Sequence, residues 1–154
     1  RRQRQMCIRD RLTADAVPVL LGDDEAGVIA ALHGSPFGIR AGLIANTVDA
    51  MQQLDADPHR MHALLGPSAT GRNMRVSEAV AADMENRVPH TRSKTPQGQP
   101  SVDLRRGIAY QLVQAGLAGV TIDPRCTIED PAFFSTYREG KTGCQAGVIW
   151  RSND

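Results

Sequence analysis

Two short apolar runs near the start of the chain predict a β-hairpin. Residues 17–21 (VPVLL) and 28–32 (VIAAL) are wholly apolar, and the six residues between them are polar and bounded by glycines. Short apolar runs on either side of a polar turn are typical of two antiparallel strands. Symmetric pairing about residues 22–27 places position 16 directly opposite His33.

Three later segments have helical periodicity, because their apolar residues recur at spacings that place them on one face of a helix. The first covers residues 40–54. Ser77 and Asp103 are positioned as N-caps of the other two, which end near Met84 and at Gly116. The apolar stripes consist of Ile44, Val48 and Met51 in the first helix and of Leu104, Ile108 and Leu112 in the last.

The remaining apolar runs predict three more strands, at residues 61–65, 119–122 and 145–150. Residues 86–101 contain three prolines and few large apolar side chains, so a loop is expected there, and residues 123–137 are irregular. Strands and helices mix without the strict alternation of a nucleotide-binding fold. We therefore predict an α/β (α+β) fold, a single-domain layered sandwich in which a mixed β-sheet is flanked by helices.

Composition and charge narrow the classes of partner. The chain has 154 residues, enough for one domain, and no apolar run approaches the ~20 residues of a membrane-spanning helix. The formal net charge is +1, but five of the first eleven residues are arginines, and the rest of the chain has 13 basic and 16 acidic residues, a net charge of −3. Because the rest of the chain is mildly acidic and only 4% of the residues are aromatic, we expect the domain to bind neither nucleic acid nor membranes.

Two interpretations of the first eleven residues, RRQRQMCIRDR, remain open: a basic arm, or a segment that does not belong to the fold. The segment resembles translated sequencing-adapter sequence and lacks the apolar core of a secretory signal. We expect residues 1–11 to be non-native or disordered. The domain is then expected at residues 12–151, incomplete at its N-terminus, with a tail at residues 152–154.

The cysteines are few and unpaired in the sequence. Cys7, Cys126 and Cys144 form neither a disulfide framework nor a CxxC zinc motif, which favours a reducing, cytoplasmic location. Cys126 is interpreted as a small buried apolar residue. Cys144 follows Arg138 and Lys141, which would lower the pKa of its thiol if they lie close.

His33 has two open interpretations, a hydrogen-bonded turn residue or a metal ligand. Opposed residues of a hairpin have Cβ atoms roughly 4.5–5.5 Å apart, close enough for two side chains to share one metal. The predicted pairing gives His33 no second ligand, because Ala16 lies opposite it. The other histidines are interpreted as surface residues, and residues 66–71 (GPSATG) as either an anion-binding nest or a plain connector.

Several motifs in order resemble one family, the laccase-domain, or multicopper polyphenol oxidase-like, proteins. Residues 13–21 (TADAVPVLL) resemble its T-A-D-C-x-P-V-L-L signature, and residues 30–38 (AALHGSPFG) resemble its A-A-x-H-A-G-x-x-G segment. The other matching segments are residues 66–68 (GPS), 102–104 (VDL), 125–127 (RCT) and 133–135 (FFS), followed by Arg138 and by Thr142-Gly143.

The resemblance implies a layered α/β/α fold and an enzyme that acts on purine nucleosides. The implied reaction is cleavage of the N-glycosidic bond of adenosine, inosine or guanosine by phosphate, with adenosine deamination alongside. A zinc ion, described as copper in older naming, would be bound by two histidines and a cysteine. His33 corresponds to one histidine ligand and the other lies in an N-terminal part absent here, while Asp15 would orient the site and Arg138 would hold an anionic group.

The chain departs from the family pattern at several positions. Ala16 stands where the cysteine ligand is expected, and alanine cannot coordinate a metal. Tyr137 and Cys144 stand where arginines are expected, and a phosphate co-substrate needs such cations. The resemblance therefore leaves two functions open: a metal-assisted purine nucleoside phosphorylase with His33, Asp15 and Arg138 as its catalytic residues, or an inactive module that keeps the fold and a purine pocket.

Overall fold

The computed structural model describes residues 8–152, and its centre is a four-stranded sheet in the order β3-β2-β4-β7. In this sheet β2 runs antiparallel to β3 and β4, and β4 runs parallel to β7. The strands are β1 (Ile8–Thr13), β2 (Val17–Asp23), β3 (Val28–Gly34), β4 (His62–Leu65), β5 (Arg92–Lys94), β6 (Pro100–Val102), β7 (Gly119–Ile122) and β8 (Gln145–Trp150). The helices are α1 (Pro36–Arg40), α2 (Leu43–Gln52), α3 (Glu78–Arg87), α4 (Leu104–Gln114) and α5 (Thr136–Glu139), with a 3₁₀ turn at Pro58–Arg60.

The two faces of the central sheet are covered by different layers. Alternate residues of β2, namely Val17, Val19 and Leu21, are fully buried in the apolar core that α2 and α4 close. On the opposite face, the antiparallel ribbon of β1 and β8 lies across β2 and β3. This arrangement confirms the predicted mixed sheet flanked by helices, with the ribbon as a further layer.

Local signals position α3 and α4 as predicted. Ser77 accepts a hydrogen bond from the backbone N–H of Val80, and Asp103 accepts bonds from the backbone N–H groups of Arg105 and Arg106. Such side-chain caps satisfy amide groups that have no partner within the helix. α4 ends next to Gly116, whose φ of 88° is the left-handed conformation that glycine adopts without strain.

The predicted register of the β2–β3 hairpin is wrong by two residues, and the whole shift is on β2. His33 pairs with Pro18, not with Ala16, because Gly22 and Asp23 belong to the strand and only four residues form the turn. The Asp23 carboxylate closes this turn by accepting a hydrogen bond from the Ala26 N–H. Continuing the register places Ala16 two positions from Pro18, on the same face as His33.

Three segment predictions also need correction. Residues 8–11, expected to lie outside the domain, are the first part of β1 and pair with β8, while residues 1–7 lie outside the described range. The expected loop at residues 86–101 contains the end of α3 and the β5–β6 hairpin. The helix predicted at residues 40–54 is α2, which begins only at Leu43 because Gly42 before it has a φ of 89°, and the short helix α1 that precedes it was not predicted.

The part of the chain that the structure covers contains no helix long and apolar enough to cross a membrane.

Candidate functional site

A cavity of about 290 Å³ lies where the ends of β1 and β3 meet the start of α4. The three-residue link between β1 and β2 places Asp15 and Ala16 at the wall of the cavity. His33, the last residue but one of β3, lies at the same wall. Ser35 stabilises this corner by capping α1, which begins at Pro36. The lining residues are Leu12, Thr13, Ala14, Asp15, Ala16, His33, Pro36, Met74, Leu104, Thr136, Tyr137 and Cys144.

The imidazole of His33 is anchored through one of its nitrogens. Nδ1 of His33 lies 3.1 Å from the backbone carbonyl oxygen of Leu12. A carbonyl can only accept, so this bond requires the proton to be on Nδ1. In the neutral ring Nε2 is then unprotonated, and it can accept a proton or bind a metal.

Asp15 lines the cavity, but its carboxylate is engaged in structural hydrogen bonds. One oxygen accepts from the Thr127 hydroxyl at 2.8 Å. The other accepts from the Thr136 hydroxyl at 2.8 Å and from the Tyr137 N–H at 3.0 Å. Because Asp15 is buried, these bonds fix the segment that carries Thr136 and Tyr137 against the start of β2. Both carboxylate oxygens of Asp15 therefore accept hydrogen bonds from the protein itself.

The guanidinium group of Arg138 is occupied by hydrogen bonds to its own loop. Its guanidinium binds the carboxylate of Glu139 and donates to the backbone carbonyls of Thr127, Ile128, Asp130 and Phe133, at 2.6–3.2 Å. These bonds use its donors to hold the loop before α5. Arg138 is not among the lining residues, so the described residues do not bring it together with His33 and Asp15 as the sequence predicted.

Thr13 and Tyr137 line the cavity and were not predicted as site residues. The Thr13 side chain is 1% exposed, and its hydroxyl has no hydrogen-bond partner among the described residues. A buried polar group without a partner is unfavourable, so this hydroxyl is suited to bind a ligand. Burial, together with the charge of Asp15, raises the pKa of the Tyr137 hydroxyl, which therefore stays protonated. The only sequence signals were the position of Thr13 beside Asp15 and the departure from arginine at Tyr137.

The described residues do not form a metal centre. Ala16 and Cys144 share the cavity with His33, but no group of three or more potential His, Cys, Asp or Glu ligands occurs within residues 8–152. The anchored imidazole resembles metal-bound histidines, which commonly donate their second N–H to a carbonyl. The methyl group of Ala16 supplies no donor beside it.

Cys126 lies outside this cavity and is buried, as the sequence suggested. Burial raises the pKa of its thiol, but hydrogen bonds from the Thr70 hydroxyl and from nearby backbone N–H groups together lower it by more. The pKa of Cys126 therefore lies below its usual value. Its sulfur lies 3.4 Å from the Thr70 hydroxyl and 3.5 Å from the Asn73 amide nitrogen. The residue therefore ties residues 66–71 to the loop after β7, which favours the connector interpretation of that segment.

Comparison with known proteins gives consistent results. Residues 2–152 match the family described as multi-copper polyphenol oxidoreductase laccase. The chain is 48% identical over 139 residues to a purine nucleoside phosphorylase of Corynebacterium glutamicum and 42% identical to one of Mycobacterium tuberculosis, in each case over 90% of this chain and 56% of the relative. It thus spans little more than half the length of these relatives.

Solved structures show the same fold. A Neisseria meningitidis protein superimposes with a TM-score of 0.84 at 29% identity, covering 95% of this chain and 61% of that protein. YlmD from Geobacillus stearothermophilus gives a TM-score of 0.84 at 26% identity, covering 94% of this chain and 57% of that protein.

Proposed function

Because the chain belongs to the multi-copper polyphenol oxidoreductase laccase family, whose similar members are named purine nucleoside phosphorylases, we propose that it cleaves the N-glycosidic bond of purine nucleosides with phosphate. The observation that carries the proposal is the His33 cavity. It combines an anchored imidazole with a free Nε2 and a buried hydroxyl, Thr13, that has no partner among the residues described.

The proposed reaction breaks the bond between C1′ of ribose and N9 of the purine, and it forms a bond between C1′ and a phosphate oxygen. The leaving purine carries the electron pair of the broken bond and needs a proton. Nε2 of His33 is placed to take the proton that the attacking dihydrogen phosphate loses and to pass it to the leaving purine, since Nδ1 is held by the Leu12 carbonyl. Positioned proton transfer of this kind contributes about 10²–10⁴-fold to the rate.

The other lining residues would bind the nucleoside. The Thr13 hydroxyl offers a hydrogen bond to a ribose hydroxyl, and the ring of Tyr137, which is 58% exposed, offers a face for the purine base. Asp15 acts indirectly, because its bonds to Thr136 and to the Tyr137 backbone fix the position of that ring.

The zinc or copper ion that the family resemblance implies does not fit the described residues. His33 is one anchored imidazole, Ala16 supplies no donor, and no group of three possible ligands occurs in the described part of the chain. A catalytic zinc site needs three protein ligands and one open position.

The proposal is tested with the full chain, inosine or adenosine, and phosphate, by measuring free base, ribose 1-phosphate and any deaminated product. We expect phosphate-dependent release of base that falls about 100-fold in His33→Ala, the scale of one general acid. His59→Ala, which removes an exposed histidine, serves as the matched control.

Two results would overturn the proposal. In one, the folded chain binds inosine in calorimetry but releases no base above the blank, which would establish the inactive-module alternative. In the other, His33→Ala retains full activity.

Thr13→Val, which keeps the shape of the side chain but removes its hydroxyl, should raise the Kd for inosine by about tenfold, equivalent to the ~1.4 kcal/mol of one hydrogen bond.

A further inference from the structure

A second cavity, of about 440 Å³, lies between the C-terminal part of α3, β5 and the first turn of α4. Its lining residues are Glu85, His90, Arg92, Ser93, Lys94 and Arg106, and none of them lines the His33 cavity. We call this cavity the β5 cleft. It has no role in the proposed reaction.

The β5 cleft has an excess of positive charge. Three of its six lining residues are cations, and its one carboxylate, Glu85, is engaged with the backbone. Lys94 and Arg106 are exposed and form no ion pair with any residue in the described range. Arg92 pairs with Glu78, which is outside the lining. Like-charged side chains that line one cleft repel each other, so an anion bound between them would relieve the repulsion.

Glu85 shapes the cleft through hydrogen bonds to the backbone, and its charge offsets only one of the three cations in the lining. Its two oxygens accept hydrogen bonds from the backbone N–H of His90 at 2.9 Å and from that of Arg92 at 2.7 Å. The bond from Arg92, followed by that from His90, holds the pKa of the Glu85 carboxyl below its usual value although partial burial opposes the shift. The carboxylate therefore stays ionised and clamps the turn between α3 and β5.

The turn at His90 is held in an unfavourable conformation. His90 has a φ of 70°, which non-glycine residues rarely adopt, and its ring centroid lies 4.4 Å from that of Tyr110. Beneath it, Thr91 is fully buried and its hydroxyl donates to the Val88 carbonyl at 2.8 Å. Strained residues persist where their surroundings over-determine them, and such residues cluster at ligand clamps. The wall of the cleft is therefore preorganised.

We propose that the β5 cleft binds a phosphoryl anion, with the guanidinium groups of Arg92 and Arg106 and the ammonium group of Lys94 as its partners. Guanidinium groups bind phosphate oxygens through paired N–H donors, and lysine adds a point charge. The phosphoryl group can be inorganic phosphate or the monoester of a nucleotide, and the same three cations would recognise either. The inference does not depend on the proposed reaction at His33.

The test measures binding of inorganic phosphate and of adenosine 5′-monophosphate to the full chain by NMR titration in about 50 mM salt, where screening of charges is moderate. The double substitution Lys94→Gln and Arg106→Gln should weaken binding at least about tenfold, equivalent to ~1.4 kcal/mol. Arg9→Gln with Arg11→Gln, on the exposed face of β1, removes the same charge elsewhere and should leave binding within about twofold, as expected for screened distant charges.

Shifts confined to residues 85–94 and the start of α4 would support the site, and His33→Ala should not alter them. Tighter binding of the nucleotide would assign the site to a phosphate ester, and equal affinities would assign it to phosphate itself. The inference is overturned if neither anion gives saturable shifts at these residues. It is equally overturned if the Arg9/Arg11 control weakens binding as much as the Lys94/Arg106 variant, since that would indicate net charge alone.

Discussion

The clearest prediction concerns Asp15, which the sequence proposes as a catalytic residue and the structure shows as a hydrogen-bonding centre. Asp15→Ala removes the acceptor of three donors: the hydroxyls of Thr127 and Thr136 and the backbone N–H of Tyr137. Thr127 is fully buried, so its hydroxyl loses its partner without access to water, whereas Thr136 and Tyr137 are exposed. Bonds to a charged group contribute about 1.5–3 kcal/mol when buried and less when exposed, so the expected loss is about 3 kcal/mol.

The assay is urea unfolding followed by circular dichroism. A loss of about 3 kcal/mol moves the midpoint by about 1.5 M for a typical m-value of about 2 kcal/mol/M. Asp15→Asn should lose less, about 1–2 kcal/mol, because the amide keeps one acceptor oxygen. Asp10→Asn, at an exposed position of β1, is the matched control and should change stability by less than about 0.5 kcal/mol.

A double-mutant cycle between Asp15→Asn and Thr127→Val separates the bond from general effects of substitution. We expect a coupling energy of about 1–2 kcal/mol. The reasoning is refuted if Asp15→Asn unfolds at the wild-type midpoint, or if the two changes are additive. A catalytic role without a structural one would instead lower turnover and leave the free energy of unfolding unchanged.

Three further predictions use other parts of the fold. Gly107→Ala should destabilise the protein by about 1–3 kcal/mol because a Cβ there overlaps buried side chains of the turn before β5, whereas Gly22→Ala, where a Cβ would make ordinary contacts, should be near neutral in the same unfolding assay. The pKa of Asp23 is lowered from its ordinary 3.8 to about 2, chiefly by the hydrogen bond from the backbone N–H of Asp57. The stability that this group contributes is therefore present above about pH 4 and is lost as the pH falls towards 2. Asp23→Asn should flatten that part of a stability–pH curve. Ala16→Cys places a thiol on the same face as the anchored imidazole of His33. Because a thiolate is a strong zinc ligand, the amount of bound zinc measured by elemental analysis should rise at least about tenfold. Unchanged zinc content would contradict this placement.

Local chemistry made several elements predictable from the sequence. Ser77 and Asp103 cap helices because each acceptor side chain bonds N–H groups two or three residues away. β7 and β8 follow from apolar or alternating patterns within the strand itself. β1 was missed because its first five residues are exposed and largely charged, so it has no apolar signal and is defined by its pairing with β8.

The site was less predictable because it depends on contacts between distant segments. His33 and Asp15 could be proposed from motifs, and both line the same cavity. The hydrogen bonds that Thr127 and Thr136 donate to Asp15 join residues more than one hundred positions apart, which no local pattern encodes. The hydrogen bonds of Arg138 likewise depend on the positions of backbone carbonyl groups in the loop before α5, which no local pattern encodes.

The pairing of β1 with β8 has a consequence for protein engineering. Ile8 lies opposite Trp150, so the two ends of the described chain are neighbours on one edge of the molecule. A short linker could join them, and new termini could be opened at an exposed turn such as residues 96–98 between β5 and β6. Any domains fused before Ile8 and after Trp150 would leave the fold side by side, which makes this ribbon a natural position for a proximity reporter.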